Sequence, residues 1–260
     1  VSGPVDLTVA ISTLGAGIDR IQLPEPVAGI RYLVLHQCPQ QVSSVLLRAD
    51  VRVVALDTVG LSNSRNAALE QAETDLLIFA DDDTTLFLDG VQSLAQSLAA
   101  APDLALAVGW RAERLPSQAR RAYLTRFNSG RICAPEFMVR RSLFRTAGVR
   151  FDPDFGLGAR FGLGEEYVFV TDALRAGLRG ITLPVVTGSH PEESTGDLWS
   201  DPTLMAARQA VIARVFGRWA LAVRAVYMLR HRHRFDSLEG RLRFVLGTGT
   251  FVRDKRSALD

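Results

Sequence analysis

Leu76-Leu77-Ile78-Phe79-Ala80-Asp81-Asp82-Asp83 sends five apolar residues of strand length straight into three consecutive carboxylates. An apolar run of this length bounded by polar punctuation reads as a buried strand. The three anions at its end do not serve packing, because each carboxylate is costly to desolvate and the three repel one another. A divalent cation removes that conflict: hard oxygen ligands at a rigid strand end suit Mg²⁺ or Mn²⁺, shared with a substrate phosphate. Ligands of open α/β sheets sit at the carboxyl ends of the strands, where this cluster falls. Asp also favours helix N-termini, so the cluster alone leaves a capped turn open as well.

Outward from this strand the chain alternates strands and helices. Leu7–Ser12, Tyr32–His36, Val51–Ala55, Leu76–Ala80 and Leu104–Val108 read as strands, with a helix from about Gly90 to Ala100. That order predicts an α/β fold with a mostly parallel, doubly wound central sheet, flanked by helices and joined by right-handed crossovers. Polar residues recur where strands end, at Ser12, Thr13, Gln37, Asp57 and the Asp triplet. Each has an ordinary solvation reading. Ser12, Thr13 and Asp81 taken together suggest a pocket.

Two further constellations carry chemistry. Gly60-Leu61-Ser62-Asn63-Ser64-Arg65-Asn66 precedes a good helix, with Ser62 as a candidate cap and Arg65 on the first turn or two. A guanidinium near a positive helix end, close to a carboxylate–metal cluster, favours diphosphate recognition. Downstream, Phe155-Gly156-Leu157-Gly158-Ala159-Arg160-Phe161-Gly162-Leu163-Gly164 is a glycine-rich loop that runs into Glu165-Glu166. Acids in a first helical turn are common for electrostatic reasons alone. The ordered set, a G-L-S-x-S-R-N helix start, then a strand with D-D-D, resembles the family 2 glycosyltransferases of the GT-A (Rossmann-like) fold. The glycines followed by an acidic pair resemble that family's second acidic motif.

The resemblance implies a nucleotide-sugar-dependent, inverting, single-displacement transfer. Ser12, Thr13, Gln37, Arg65, Asp81, Asp82 and Asp83 are then expected around the nucleoside-diphosphate sugar, with a UDP-sugar as the first expectation. Asp83 and Asp81, with His190 downstream, are expected to hold Mn²⁺ or Mg²⁺. Glu166 corresponds to the general base, and Glu165 competes for the role because the family usually has Glu-Asp at this pair. Ser194 and Thr195 would extend the His190 loop over the diphosphate. The processive Q-x-x-R-W signature is absent: Val215-Phe216-Gly217 precedes Arg218-Trp219, which suggests single-sugar transfer to a saccharide or lipid-linked acceptor.

Composition fits a compact enzyme: 260 residues, 47% hydrophobic, and a net charge of +2, too small to argue for nucleic acid. Of 30 basic residues only Lys255 is a lysine. Cys38 and Cys133 lack metal-ligand spacing, and neither a leader nor an 18-residue uncharged run is read, so a cytoplasmic protein is expected. The expected division is a GT-A domain over about residues 5–200, with a nucleotide-sugar half to about 109 and an acceptor and catalytic half from about 110. A helical extension follows over 201–260, and the arginine-rich stretch Leu204–Arg234 suggests docking on the domain or peripheral membrane association. The arginines of Gly109–Arg141 are either a solvated excursion or the start of an acceptor region. Phe79–Thr85 also fits the D-x-D-x-T nucleophile motif of haloacid dehalogenase-like phosphatases, with Asp81 attacking phosphorus. Such enzymes need a lysine, and Lys255 stands six residues from the end. A non-catalytic saccharide-binding relative of the same fold is the alternative outside enzymes.

Overall fold

A computed structural model of the protein describes residues 5–39, 46–190, 196 and 198–247. Ser194 and Thr195 therefore lie outside the described residues. Nine strands form one sheet: β1 (Leu7–Leu14), β2 (Ile30–Gln37), β3 (Val51–Leu56), β4 (Leu76–Asp81), β5 (Thr85–Leu86), β6 (Leu104–Arg111), β7 (Ala122–Tyr123), β8 (Phe137–Arg140) and β9 (Arg179–Ser189). Their spatial order is β3-β2-β1-β4-β8-β6-β9-β5, with β7 paired to β9. β3, β2, β1 and β4 run parallel, so their carboxyl ends share one edge. β6 points the same way as β4 but does not touch it, because β8 enters between them antiparallel to both. The expected mostly parallel sheet is present, with this insertion as a correction to simple double winding.

Alternation along β4 explains why its sequence is apolar throughout. Leu77 and Phe79 enter one core cluster with Ala68 and Leu69 of helix α1 (Leu61–Gln71) and Phe169 of α4 (Glu165–Arg175). Leu76, Ile78 and Ala80 enter the other, with Val91, Leu94 and Leu98 of α2 (Leu88–Ala99). A strand covered on both faces has no polar side to show, and successive residues point to opposite faces. A short helix α3 (Arg141–Thr146) follows β8 and contributes Phe144. Phe169 stacks on Phe151 at 3.9 Å between ring centroids and on Phe144 at 4.8 Å, a rigid aromatic layer under the sheet's carboxyl edge.

The carboxyl-terminal residues do not form one amphipathic helix. α5 (Pro202–Phe216) is capped by the Asp201 carboxylate, which accepts from the Thr203 amide at 2.7 Å. It docks beside α4, with Val211 and Val215 packed on Phe155 and Val168. Arg214 pairs with Asp152 at 3.1 Å and Asp172 at 2.7 Å. α6 (Ala220–Arg230) and α7 (Leu238–Leu246) close a smaller cluster around Phe235 and Phe244. No helix among the described residues is long and apolar enough to cross a membrane.

Close packing of α2 on β9 depends on Gly90, where a Cβ would overlap the Val186 carbonyl. That obstacle is backbone and cannot rotate away. Gly90→Ala is expected to destabilise the protein by about 1–3 kcal/mol, the usual cost of overpacking, measured by urea denaturation. An unchanged midpoint would contradict the tight α2–β9 contact.

Candidate active site

The parallel register puts Ser12 beside Asp81 and Thr13 beside His36 at the sheet's carboxyl edge. Helix α1 leaves Gly60 (φ +115°), which is its N-cap; Ser62 does not cap the helix, contrary to the expectation from sequence. Instead the motif fastens α1 to its surroundings one residue at a time. Ser62 Oγ donates to the Phe155 carbonyl at 2.7 Å, and Ser64 Oγ donates to Ser12 Oγ at 2.8 Å. Asn66 exchanges two hydrogen bonds with the Phe151 backbone, at 2.8 and 2.9 Å. Gln37 Nε2 donates to the Thr58 and Gly60 carbonyls at 2.6 and 3.1 Å, holding the turn into α1.

Arg65 is the centre of the arrangement. It is 1% exposed, and its Nη1 donates to Glu165 Oε1 at 3.0 Å and Glu166 Oε1 at 2.8 Å. Its Nη2 donates to Asp81 Oδ1 at 3.3 Å. The terminal nitrogens of this guanidinium, expected near a diphosphate, face three protein carboxylates, so Arg65 reaches the site through them. Burial alone would lower its pKa, but Glu166, Asp81 and Glu165 outweigh it and raise the pKa further above the usual range.

One guanidinium does not balance three buried carboxylates. Burial, then repulsion from Glu166, pushes Glu165 up to about 8. Asp81 is also raised, by burial first, although its side chain keeps 34% exposure at the mouth of the site. Of the two glutamates, Glu165 lies against the Cα of Gly156 with its side chain 6% exposed, while Glu166 retains 11%. The start of α4 is itself fixed: Gly164 has φ +90°, and Val211 of α5 packs onto its Cα, where a Cβ would collide.

The acidic triplet divides into three environments. Asp81 faces Arg65. Asp82 accepts from Thr13 Oγ1 at 2.7 Å and from Arg20 Nη2 at 2.6 Å, so Thr13 and Asp82 are joined to each other behind the edge. Asp83 Oδ1 lies 3.2 Å from His190 Nε2. The last contact spans more than a hundred residues and has a backbone cause: β5 pairs antiparallel with the end of β9, with Thr85 opposite Ser189. His190 thereby lands beside the residue two before β5. Nothing in the composition of a two-residue strand announces this. Equally unsignalled in sequence are the Arg20 clamp on Asp82 and the bond from Ser189 Oγ to Glu113, next to His190.

Among the described residues no three His, Cys, Asp or Glu side chains converge as a complete metal cage. Asp83 and His190 do fit a partial one, since Mg²⁺ and Mn²⁺ sites often use one or two protein ligands plus substrate phosphate and water. The donor chemistry, one carboxylate oxygen and one imidazole nitrogen, suits Mn²⁺ well.

Residues 38–161 match the model of glycosyl transferase family 2. That span holds the Arg65 helix and the acidic triplet, while Glu165, Glu166 and His190 join them through the fold. No curated protein matches the sequence closely enough to count as a relative. Among solved structures, the fold is similar to Staphylococcus aureus TarS 1–349 in complex with UDP-GlcNAc, at 14% identity and a TM-score of 0.61, covering 94% of this chain and 79% of that one. It is similar to the mannosyltransferase PcManGT of Pyrobaculum calidifontis in complex with GDP-Man and Mn²⁺, at 12% identity and a TM-score of 0.53, covering 94% and 70%. It also resembles Mycobacterium tuberculosis glucosyl-3-phosphoglycerate synthase in complex with Mn²⁺, UDP and glucosyl-3-phosphoglycerate, at 16% identity and a TM-score of 0.54, covering 82% and 80%. The fold is that of the GT-A glycosyltransferases, and residues 38–161 are similar to their family 2. The phosphatase reading of the Asp triplet ends here, with Asp81 bound to Arg65 in place of a lysine-assisted phosphoryl site.

The raised Glu165 has a consequence for stability. Between its ordinary value of 4.5 and about 8, the native protein holds a proton that the unfolded chain has released. Stability from this group therefore falls as pH rises through that window, because the native state binds more protons there. Glu165→Gln removes the titration, so its thermal midpoint is expected to fall less than the wild type's between pH 5 and pH 8. Parallel melting curves across that range would refute the assignment.

Proposed function

We propose that this protein transfers a sugar from a nucleoside-diphosphate sugar to an acceptor hydroxyl by a single, inverting displacement. The observation that carries the reading is the buried Arg65, which binds Asp81 of the acidic triplet and Glu165 and Glu166 of the glycine-loop helix at once. Two motifs 80 residues apart thus serve one site. The donor lies at the carboxyl edge of β1 and β4, near Ser12 and Asp81. A UDP-sugar is the first choice, on the analogy of the S. aureus and M. tuberculosis structures, and GDP-mannose, bound by the archaeal enzyme, is the second.

Glu166 serves as the general base. It is the less buried of the pair, it accepts from Arg65 through one oxygen, and Arg65 holds it oriented. Its task is to take the acceptor hydroxyl's proton as that oxygen attacks the anomeric carbon. Glu165, buried beneath Gly156 and protonated near neutrality, positions its neighbour. Asp83 and His190 would hold the divalent cation, which supplies Lewis-acid neutralisation of the departing diphosphate. Thr13 and Arg20 hold Asp82 and so fix the turn that carries Asp83. The acceptor is a saccharide or a lipid-linked hydroxyl, approached from the side of Glu166.

Asp83→Asn is expected to abolish Mn²⁺-dependent binding of nucleoside diphosphate in calorimetry while the melting temperature holds. Full metal-dependent affinity in this variant would move the metal elsewhere. Glu166→Gln is expected to keep donor binding and lose transfer by about 10²-fold or more, measured as release of nucleoside diphosphate. Retained turnover would shift the base to Glu165.

A further inference from the structure

Beyond the active site, α6 and α7 leave an apolar surface that no described residue covers. On α6 and the turn before it, Trp219, Val226 and Leu229 are 58, 66 and 58% exposed. Their spacing of seven and three residues places them on one stripe of a helix, beside the Ala220, Val223 and Tyr227 side that faces the core cluster. On α7, Leu238, Leu242 and Leu246 recur every fourth residue and are 73, 63 and 61% exposed, while Phe244 is buried. Single exposed leucines need no explanation, but two regular stripes on adjacent helices do.

Charge selects the partner. Residues 217–247 carry seven arginines against Asp236 and Glu239, a formal net of +5. Residues 1–201 carry 18 arginines against 24 carboxylates, a net of −6. The near-neutral total hides a strong division between an acidic catalytic domain and a cationic helical end. Arg218 and Arg230 flank the α6 stripe by helical position, and long arginine side chains can lay their stems on apolar surface while their heads reach phosphate. A second copy of this cationic face would repel it, and a neutral apolar partner would waste the arginines. Trp and Leu in exposed stripes flanked by Arg, with no helix among the described residues long enough to span, are the attributes of interfacial helices.

We propose that α6 and α7 seat the protein on the surface of an anionic phospholipid bilayer, with Trp219, Val226, Leu229 and the α7 leucines entering the headgroup–acyl boundary. The inference stands independently of the assigned chemistry, since neither helix contributes a residue to the site around Arg65. In the cell the attachment would hold the enzyme where an acceptor carried on a lipid is concentrated.

The test is co-sedimentation of the full chain with phosphatidylcholine vesicles, and with vesicles containing about 30 mol% phosphatidylglycerol, at low and high salt. Retention is expected on the anionic vesicles only, weakened by salt. Leu238→Asp/Leu242→Asp, whose sites are exposed, is expected to fold normally, to keep nucleotide binding and to lose at least about tenfold in vesicle affinity. No retention on anionic vesicles would overturn the proposal, as would undiminished retention of the double variant. A dimer in sedimentation velocity that the double variant dissociates would also overturn it, by giving the face to a second copy. Vesicle binding without sugar transfer would leave this proposal standing and count against the catalytic one.

Discussion

The buried contact of Arg65 with Asp81, Glu165 and Glu166 is the interaction on which the site depends. Each group would be costly alone in so dry a place, and the loss of one partner from such a set is expected to cost about 3–5 kcal/mol. Together they tolerate burial, provided the fold brings α1, the end of β4 and the start of α4 to one point. Much of the local sequence answers to that requirement. Ser62 and Asn66 fasten α1 to the 151–155 segment, Ser64 fastens it to β1, and Gly164 lets α5 press on the start of α4. The aromatic layer of Phe79, Phe151 and Phe169 supports the guanidinium from below, with the Arg65 carbon 5.7 Å from the Phe151 ring centre.

An arginine here differs from a lysine in kind. Three acceptors lie around one planar group that keeps its charge when buried, whereas a buried ammonium would tend to lose its proton. The fixed charge then sets the protonation of its neighbours. Burial, with one permanent cation among three carboxylates, lets Glu165 hold its proton to about pH 8.

Strand positions and the order of elements were legible because β1, β2, β4 and β6 are covered on both faces and so carry unbroken apolar runs. β8 was not legible. Four residues, Phe137–Arg140, lie within an arginine-rich stretch whose tethers, such as Glu136 bound to Arg131 and to the Arg111 amide, exist only after folding. In the site, the Asp triplet and the acidic pair could be found as clusters of like charge, a pattern that packing does not explain. The direction in which Arg65 points could not be found, since a guanidinium beside carboxylates suits a phosphate and a carboxylate equally well. The approach of His190 to Asp83 also depends on tertiary pairing, because it follows from the Thr85–Ser189 register of a two-residue strand.

These two constructions are separate, and their separation matters for catalysis. The base side is held by a charge network buried under a glycine loop, while the Asp83–His190 side is held by backbone pairing between β5 and β9. Asp81 and Asp83 join them across two residues, and Asp82 is anchored between by Thr13 and Arg20. The two sides are thus set by different elements, although Asp81 feels the charges of Arg65 and Glu166 on one side and of Asp83 and His190 on the other. Under the proposed transfer, the hold on a departing diphosphate and the placement of the base would be fixed by different parts of the fold, with Asp81 between them.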